Sequence, residues 1–381
     1  VFSEAGAAPF GKGLVLLKVG VQGRIVGREG RKPAHLVFVV DTSGSMARPD
    51  RLPMVQYSLE LLAGELGEND RISLVTYGNE PRLVLDEVSA AERDTIRTVL
   101  RSLQCGGATN LLAGIRLGYE QAAKVFRAGR INRIILCSDG AANVGATQAE
   151  ELLADVARFR HQGISFTSVG FGIGTYNDDI LEQLANKGDG AYVFIDSKAE
   201  ARRLFVEQLS ATIQMIAKDA KIQVEFNPAR VRRYRLIGYE NRDIADQDFR
   251  NDAVDAGEVG SGQSATALYE LELLPGPASG EAADLGTVYI RYRDLDADKV
   301  QEQAYRLSNP IIRPRSPADS PRFYLAACVA EFAELLRHSE HARDGSLQDV
   351  VHCLDQVRVQ LPLDNQVEEV LAMVRRADEL M

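Results

Sequence analysis

The stretch HLVFVVDTSGSM, residues 35–46, decides the fold. Its apolar part, residues 36–40, is a run of β-forming residues typical of a parallel strand that is buried on both faces. The run stops at DTSGS, residues 41–45, which would lie beyond the carboxyl end of the strand, where open α/β sheets bind their ligands. A carboxylate with two hydroxyls, and no thiol or imidazole, suits a hard cation such as Mg2+, Ca2+ or Mn2+. The stretch therefore predicts a divalent-cation site at the edge of a parallel sheet.

Length and composition indicate a globular protein with more than one domain. The 381 residues are 45% hydrophobic and 26% charged, with a formal net charge of −10. This acidic balance argues against a nucleic-acid partner and against anionic membrane surfaces. No apolar run is long enough for a membrane span. The chain begins at Val1 without Met or a signal segment, so we expect a processed or truncated product.

Strands and helices alternate from about residue 33 to residue 218, which predicts a doubly wound, mostly parallel sheet with helices on both faces. Arg82–Leu85 is expected to be an edge strand of this sheet. Capping boxes predict helix starts at Ser89, Thr147 and Ser197. Strands are expected at Leu36–Val40, Ile72–Tyr77, Ile131–Cys137, Ile164–Val169 and Tyr192–Ile195, and Leu36–Val40 and Ile131–Cys137 are expected to be buried.

The pattern changes after Lys218, where apolar and polar residues alternate without intervening helices. This period of two predicts antiparallel sheet, in the form of a sandwich. Asp243–Gln263, acidic and rich in glycine, is expected to be a loop. The isolated strand Leu14–Val21 has no place in the α/β sheet. We therefore predict that it pairs with the later strands and that the α/β domain is inserted into the sandwich.

The C-terminal part is predicted to be helical. Asn309–Ser320, rich in Pro and Ser, is predicted to be a linker. Three short amphipathic helices follow it and are expected to form a small bundle or a layer docked on the sandwich. The fold class is thus α/β: a doubly wound sheet inserted in an antiparallel β-sandwich, plus a small helical region. The predicted domains are residues 1–32 joining the sandwich, 33–218 as the α/β domain, 219–310 as the sandwich, 311–320 as the linker and 321–381 as the helical region.

Polar side chains from three segments are expected to meet at the carboxyl edge of the sheet. Asp139 follows one buried strand, and Thr109 lies in the glycine-rich loop 106–110 ahead of a helix. DTSGS alone could simply cap the next helix. Its combination with Thr109 and Asp139, in this order, favours a metal site. The predicted metal-site residues are Asp41, Ser43, Ser45, Thr109 and Asp139.

In this order and context, the five residues resemble the metal-ion-dependent adhesion site of von Willebrand factor type A domains, and residues 33–218 look like such a domain. The resemblance implies that the hydroxyls of the two serines and the threonine bind the divalent ion, while the two aspartates act directly or through water. It also implies that an Asp or Glu of a partner protein fills one open coordination position. A site with few formal charges leaves the cation electrophilic enough to take that external anion.

The flanking segments extend the resemblance over nearly the whole chain. IGYENR at 237–242, VDAGE at 254–258 and TALYE at 266–270 are similar to a bacterial subfamily of envelope-associated A-domain proteins with an extra C-terminal region. This resemblance implies a location in the cell envelope, periplasmic or extracellular. Proteins of that subfamily begin with a signal or lipoprotein segment and a further N-terminal region, neither of which is found here.

We therefore predict a non-enzymatic, divalent-metal-dependent protein-binding module of the adhesion type. The alternative is an envelope scaffold or assembly factor that works with an ATPase partner, with the metal only modulating it. Hydrolysis by metal-activated water is disfavoured because the motif segments contain no His, Lys or Glu that is an obvious general base.

Several weaker patterns have simpler interpretations. GFGIG, residues 170–174, lacks the third glycine of a dinucleotide fingerprint and is expected to be a loop beside the metal site, continuing to Asn177 and Asp178. His338, His341, His352 and Cys353 could form a zinc site, but surface histidines near a helix end are the simpler interpretation. A disulfide between Cys328 and Cys353 stays open, as does the choice between a moving and a rigid Thr109 loop.

Overall fold

The computed structural model describes residues 1–140, 146–160, 162–172, 178–208, 213–239, 244–252, 254, 256–276, 284–308, 311–342 and 345–380. Its strands are β1 Phe2–Ala7, β2 Val15–Gln22, β3 Ala34–Asp41, β4 Arg71–Tyr77, β5 Arg82–Ser89, β6 Ile131–Ser138, β7 Ser165–Phe171, β8 Tyr192–Ile195, β9 Met215–Phe226, β10 Val231–Ile237, β11 Gly257–Gly260, β12 Ser264–Leu273, β13 Gly286–Asp294 and β14 Lys299–Leu307. Its α-helices are α1 Leu52–Glu65, α2 Arg93–Ser102, α3 Leu111–Lys124, α4 Ala146–Arg160, α5 Asp178–Lys187, α6 Lys198–Arg202, α7 Pro321–Leu336, α8 Leu347–Gln360 and α9 Asn365–Leu380. Short 3-10 turns occupy Arg28–Gly30, Gly44–Ala47, Asp246–Asp248 and Glu340–Ala342, and a π-helical turn extends α6 over Arg203–Glu207.

A six-stranded sheet in the order β5-β4-β3-β6-β7-β8 forms the centre of the α/β domain. Every strand is parallel to its neighbour except β5, which is antiparallel to β4 at the edge. All eight residues of β3 are buried. Leu36, Phe38 and Val40 pack with α1, α2 and α6, whereas Val37 and Val39 pack with α3, α4 and α5 on the other face. The predicted doubly wound sheet is confirmed, and so is the edge position of the strand that begins at Arg82.

The strand order reverses between β3 and β6. From β3 the chain moves to β4 on one side, and it returns to the opposite side of β3 to form β6. Such a switch point leaves a crevice at the carboxyl ends of the two strands, where α/β proteins bind ligands. Both predicted aspartates lie here, Asp41 at the end of β3 and Asp139 directly after β6.

Two four-stranded antiparallel sheets form the sandwich, in the orders β1-β2-β12-β10 and β11-β9-β13-β14. Strand β2 pairs with β12 from Val15 opposite Leu271 to Gln22 opposite Ser264. The α/β domain is therefore inserted between β2 and β9, as predicted. The two sheets share an apolar core that contains Leu17, Val19, Leu271, Val288, Ile290 and Leu307.

The helical region is both a bundle and a docked layer. Phe323 and Ala327 of α7 pack on Leu16 and Leu268, on the outer face of the β1-β2-β12-β10 sheet. The opposite side of α7 joins α8 and α9 in a separate apolar cluster that includes Cys328. The preceding segment 311–320 is held on β1, because Arg315 donates to the Ala5 carbonyl at 2.8 Å and to the Glu4 carboxylate at 3.1 Å.

Some local predictions were wrong. Strand β1 was not predicted, since FSEAGA has a single large apolar residue, and β11 lies inside the predicted loop Asp243–Gln263. Ser89 does not cap a helix: it ends β5, and α2 begins four residues later without a side-chain cap. The Ser197 cap is confirmed, with Ser197 Oγ accepting from Glu200 N at 3.2 Å. The side chain of Thr147 lies outside the described residues.

Candidate metal site

The DTSGS stretch folds around the carboxylate of Asp41. Asp41 Oδ1 accepts from Ser43 N at 2.8 Å, and Asp41 Oδ2 accepts from Ser138 Oγ at 3.2 Å. The hydroxyls of Ser43 and Ser45 lie 3.1 Å apart, at the start of the 3-10 turn Gly44–Ala47. The strand end and this tight turn therefore direct three of the predicted oxygen ligands to one place.

Asp139 joins this group through Arg51. The Arg51 guanidinium donates from Nη1 to Asp139 Oδ2 and to the main-chain oxygen of Ser45, the latter at 2.8 Å. The Asp139 side chain is fully buried, and that of Arg51 is 11% exposed. Sequence reasoning missed Arg51. The feature that could have revealed it is its type: an arginine at the N-cap of α1, where the helix dipole disfavours a cation.

Thr109 reaches the site through the backbone of its loop. Gly106 N donates to Thr42 O at 2.8 Å, and Gly44 N donates to Gly107 O at 3.1 Å. These two bonds place the loop 106–110 beside DTSGS, with Thr109 half-buried. The structure thus joins Asp41, Ser43 and Ser45 by direct hydrogen bonds, Asp139 through a side chain, and Thr109 through main-chain contacts.

Asn79 fixes the shape of the Thr109 loop. Asn79 Oδ1 accepts from Ala108 N at 2.7 Å. Gly107 has φ +83°, and a Cβ there would lie 2.6 Å from Asn79 Oδ1. Glycine is therefore required at this position by both the backbone conformation and the close approach of Asn79.

The site concentrates negative charge in a buried place. Burial raises the pKa of Asp41, and the neighbouring Asp139 charge adds to the rise, while hydrogen bonds from Ser43 oppose it. Burial also raises the pKa of Tyr77 well above its ordinary value. The Tyr77 hydroxyl lies beside Asp41 and Ser138 but outside hydrogen-bonding geometry, and it is fully buried. A cation at this point would stabilise the ionised carboxylates.

The donor set fits a hard divalent ion. Two carboxylates and neutral hydroxyls are the oxygen ligands that Mg2+, Ca2+ and Mn2+ take. The described residues contain no group of three or more His, Cys, Asp or Glu side chains that could hold a metal, so His338, His341, His352 and Cys353 do not form such a zinc site there.

Gly172, in the predicted loop 170–174, has a packing role. Gly172 has φ +87°, and a Cβ at this position would come within 2.7 Å of Arg51 Cγ. Gly172 therefore leaves room for the side chain that contacts Asp139. Residues 173–177, including Asn177, lie outside the described residues, as does the side chain of Asp178.

Comparisons with known proteins agree with this architecture. Residues 35–210 match the von Willebrand factor type A domain, and residues 211–380 match the family described as "Uncharacterized protein YfbK, C-terminal". The chain is 35% identical over 374 residues to the uncharacterized protein YfbK of Escherichia coli K12, covering 94% of this chain and 64% of that protein. It is 26% identical over 304 residues to an uncharacterized protein of Synechocystis, covering 77% of this chain and 69% of the relative.

A solved structure described as von Willebrand factor type A from Catenulispora acidiphila shares the fold, with a TM-score of 0.51 and 14% identity over 98% of this chain and 88% of that one. Type A domains typically mediate metal-dependent protein interactions. Among the described residues, no helix is both long and apolar enough to cross a membrane. The chain therefore belongs to the proteins in which a von Willebrand factor type A domain is followed by a YfbK-type C-terminal region.

Proposed function

We propose that this protein is a divalent-metal-dependent protein-binding module of the adhesion type. Asp41, Ser43, Ser45, Thr109 and Asp139 hold Mg2+, or Ca2+ or Mn2+, and an Asp or Glu of a partner protein completes the coordination. The observation that carries the proposal is the convergence of two buried carboxylates and two serine hydroxyls at the β3–β6 switch point. A cell-envelope location, periplasmic or extracellular, is part of the same proposal.

The charges of the site support capture of an external carboxylate. Asp41 and Asp139 supply two negative charges, and Arg51 supplies one positive charge. With a divalent ion added, the group carries a net charge of about +1, which attracts an anion in a partly buried place. When bound, the ion supplies the Lewis-acidic centre. The chain's own residues hold it from the sheet side.

A capture experiment with and without chelator tests the proposal. The immobilised protein is incubated with a bacterial envelope extract in Mg2+, in EDTA, and in EDTA followed by excess Mn2+. We expect specific partners to be lost in EDTA and recovered with Mn2+. The variant Asp41→Ala should lose them in Mg2+ as well, whereas Asp94→Ala should retain them, because the Asp94 carboxylate is fully exposed at the start of α2.

Capture that persists in EDTA and in Asp41→Ala would contradict the adhesion mechanism. It would favour the alternative in which the sandwich and the helices form the main interaction surface of a scaffold that works with an ATPase, with the metal only modulating it.

A further inference from the structure

Arg51 holds an unusual position for an arginine. It is the N-cap residue of α1, where the positive end of the helix dipole disfavours a cation and where small polar residues are preferred. Its Nε atom is buried without a hydrogen-bond partner among the described residues. Helix capping therefore does not account for an arginine at this position. The ion pair with Asp139 does account for it.

The surroundings of Arg51 confine its guanidinium to the site. On one side the backbone of Gly172 lies so close that a single added carbon would clash with Arg51 Cγ and Nε, at 2.7 and 2.9 Å. On the other side Nη1 is shared between Asp139 Oδ2 and the Ser45 carbonyl. The positive charge is thus held on the same carboxylate that the metal proposal requires.

We propose that Arg51 is a tethered cation that competes with the divalent ion for the Asp139 carboxylate. In the metal-free protein it neutralises one of the two buried carboxylates, and binding of the ion requires Arg51 to give up Asp139 Oδ2. The inference builds on the proposed metal-dependent function and deepens it. Its consequence is that the site binds the ion weakly by itself, and that a partner carboxylate near the released guanidinium strengthens ion binding.

The first test measures Mn2+ alone, by isothermal titration calorimetry of the full chain. Arg51→Gln removes the charge at nearly constant size, and we expect Mn2+ to bind at least about tenfold more tightly, because a unit charge close to a divalent ion in a partly buried site has a large repulsive effect. Arg48→Gln is the matched control. Arg48 lies in the same loop, is 54% exposed and pairs with Asp50, so the same charge change there should alter the affinity by less than about twofold.

The second test needs no metal. In EDTA, Arg51→Gln should lower the thermal unfolding midpoint because it leaves Asp139 buried without its counter-charge, and adding Asp139→Asn should restore most of the loss. If Arg51→Gln does not fold, Arg51→Lys takes its place. The lysine keeps the charge, but its side chain is shorter and ends in a compact ammonium that cannot occupy the position of Nη1 between Asp139 and Ser45. It should therefore hold Asp139 less firmly and also bind Mn2+ more tightly than the parent.

The outcomes separate this inference from the proposed function. If the parent binds Mn2+ and the folded Arg51 variant binds no more tightly, competition by Arg51 is overturned while the metal site stands. If only the variant binds Mn2+, the competition is supported and the proposed function of the natural protein fails. If neither binds Mn2+, both fail.

Discussion

The carboxylate of Asp41 and the hydroxyl of Ser138, 97 positions apart in the chain, form a hydrogen bond of 3.2 Å that joins the ends of β3 and β6. The bond crosses the point where the strand order reverses, so the candidate site is built on two rigid neighbouring strands rather than on loops alone. Sites on such elements keep their geometry well, and substitutions in this one should alter ligand binding more than folding.

Asp41→Ala should abolish measurable Mg2+ and Mn2+ binding while the fold stays intact. The lost carboxylate is central to the donor set, and burial disfavours its charged form, as its raised pKa indicates, so its removal should not weaken the fold. Calorimetry measures the affinity, and circular dichroism measures the fold. Asp94→Ala is the control. An unchanged affinity in Asp41→Ala would show that the site is assigned wrongly.

Thr109→Ala should retain part of the metal affinity but lose most of the affinity for the partner. In the proposed site the threonine hydroxyl adjusts how strongly the ion attracts an external carboxylate, while the other four residues still hold the ion. Thr109→Ser keeps the hydroxyl and should restore partner binding. Equal partner affinity in the Ala and Ser variants would exclude this role for the hydroxyl.

Gly107→Ala should weaken Mn2+ binding and destabilise the α/β domain. An alanine at φ +83° is strained by about 1–3 kcal/mol, and its Cβ would also clash with Asn79. The neighbouring Gly106 is the matched control, because a Cβ there meets nothing within 4 Å. Thermal unfolding and Mn2+ titration of both variants check this. Similar behaviour of the two would mean that the loop conformation does not matter.

Residues 33–218 should fold as an isolated fragment, because this segment contains the whole six-stranded sheet and both of its apolar cores. The fragment 219–381 should not fold as a monomer. It lacks β1 and β2, which would leave β12 with an unpaired edge and expose the sandwich core. Cooperative unfolding of each fragment is the measurement. A stable monomer of 219–381 would contradict the prediction that the sandwich needs its N-terminal strands β1 and β2.

Glu331 should make stability depend on pH near neutrality. Burial, with the charges of Glu270 and Glu334, raises its pKa from 4.5 to about 7, against the effect of Arg235. The pKa of Glu331 is higher in the folded state than in the unfolded state. Its contribution to stability is therefore complete below about pH 4.5 and is lost as the pH rises through about 7.

The uncharged variant Glu331→Gln should therefore unfold about 2–4 °C above the parent at pH 8 and close to it at pH 5. Glu379→Gln, an exposed carboxylate on α9, serves as the control and should leave the pH profile unchanged. Parallel profiles of the parent and Glu331→Gln would refute the assignment.

Elements with strong periodic or continuous apolar patterns could be predicted from the sequence. The run before Asp41 predicted a strand buried on both faces, and the alternation around Leu271 predicted its place in the sandwich. Weak elements could not be predicted. Strand β11, Gly257–Gly260, is short, contains two glycines and pairs with β9 through shifts in register. Arg51 was missed for a related reason, because its role depends on Asp139, 88 positions further along the chain.

The two connections of the inserted domain run side by side. Lys32 N donates to Gln214 Oε1 at 3.1 Å, and Val26 packs against Ile216, so the segments that enter and leave the domain touch each other. Tension applied along the polypeptide could therefore pass from one connection to the other without stretching the domain between them. The candidate metal-binding edge would then be sheltered from mechanical load carried by the sandwich, and a partner bound as proposed would be held by a part of the molecule that the load bypasses.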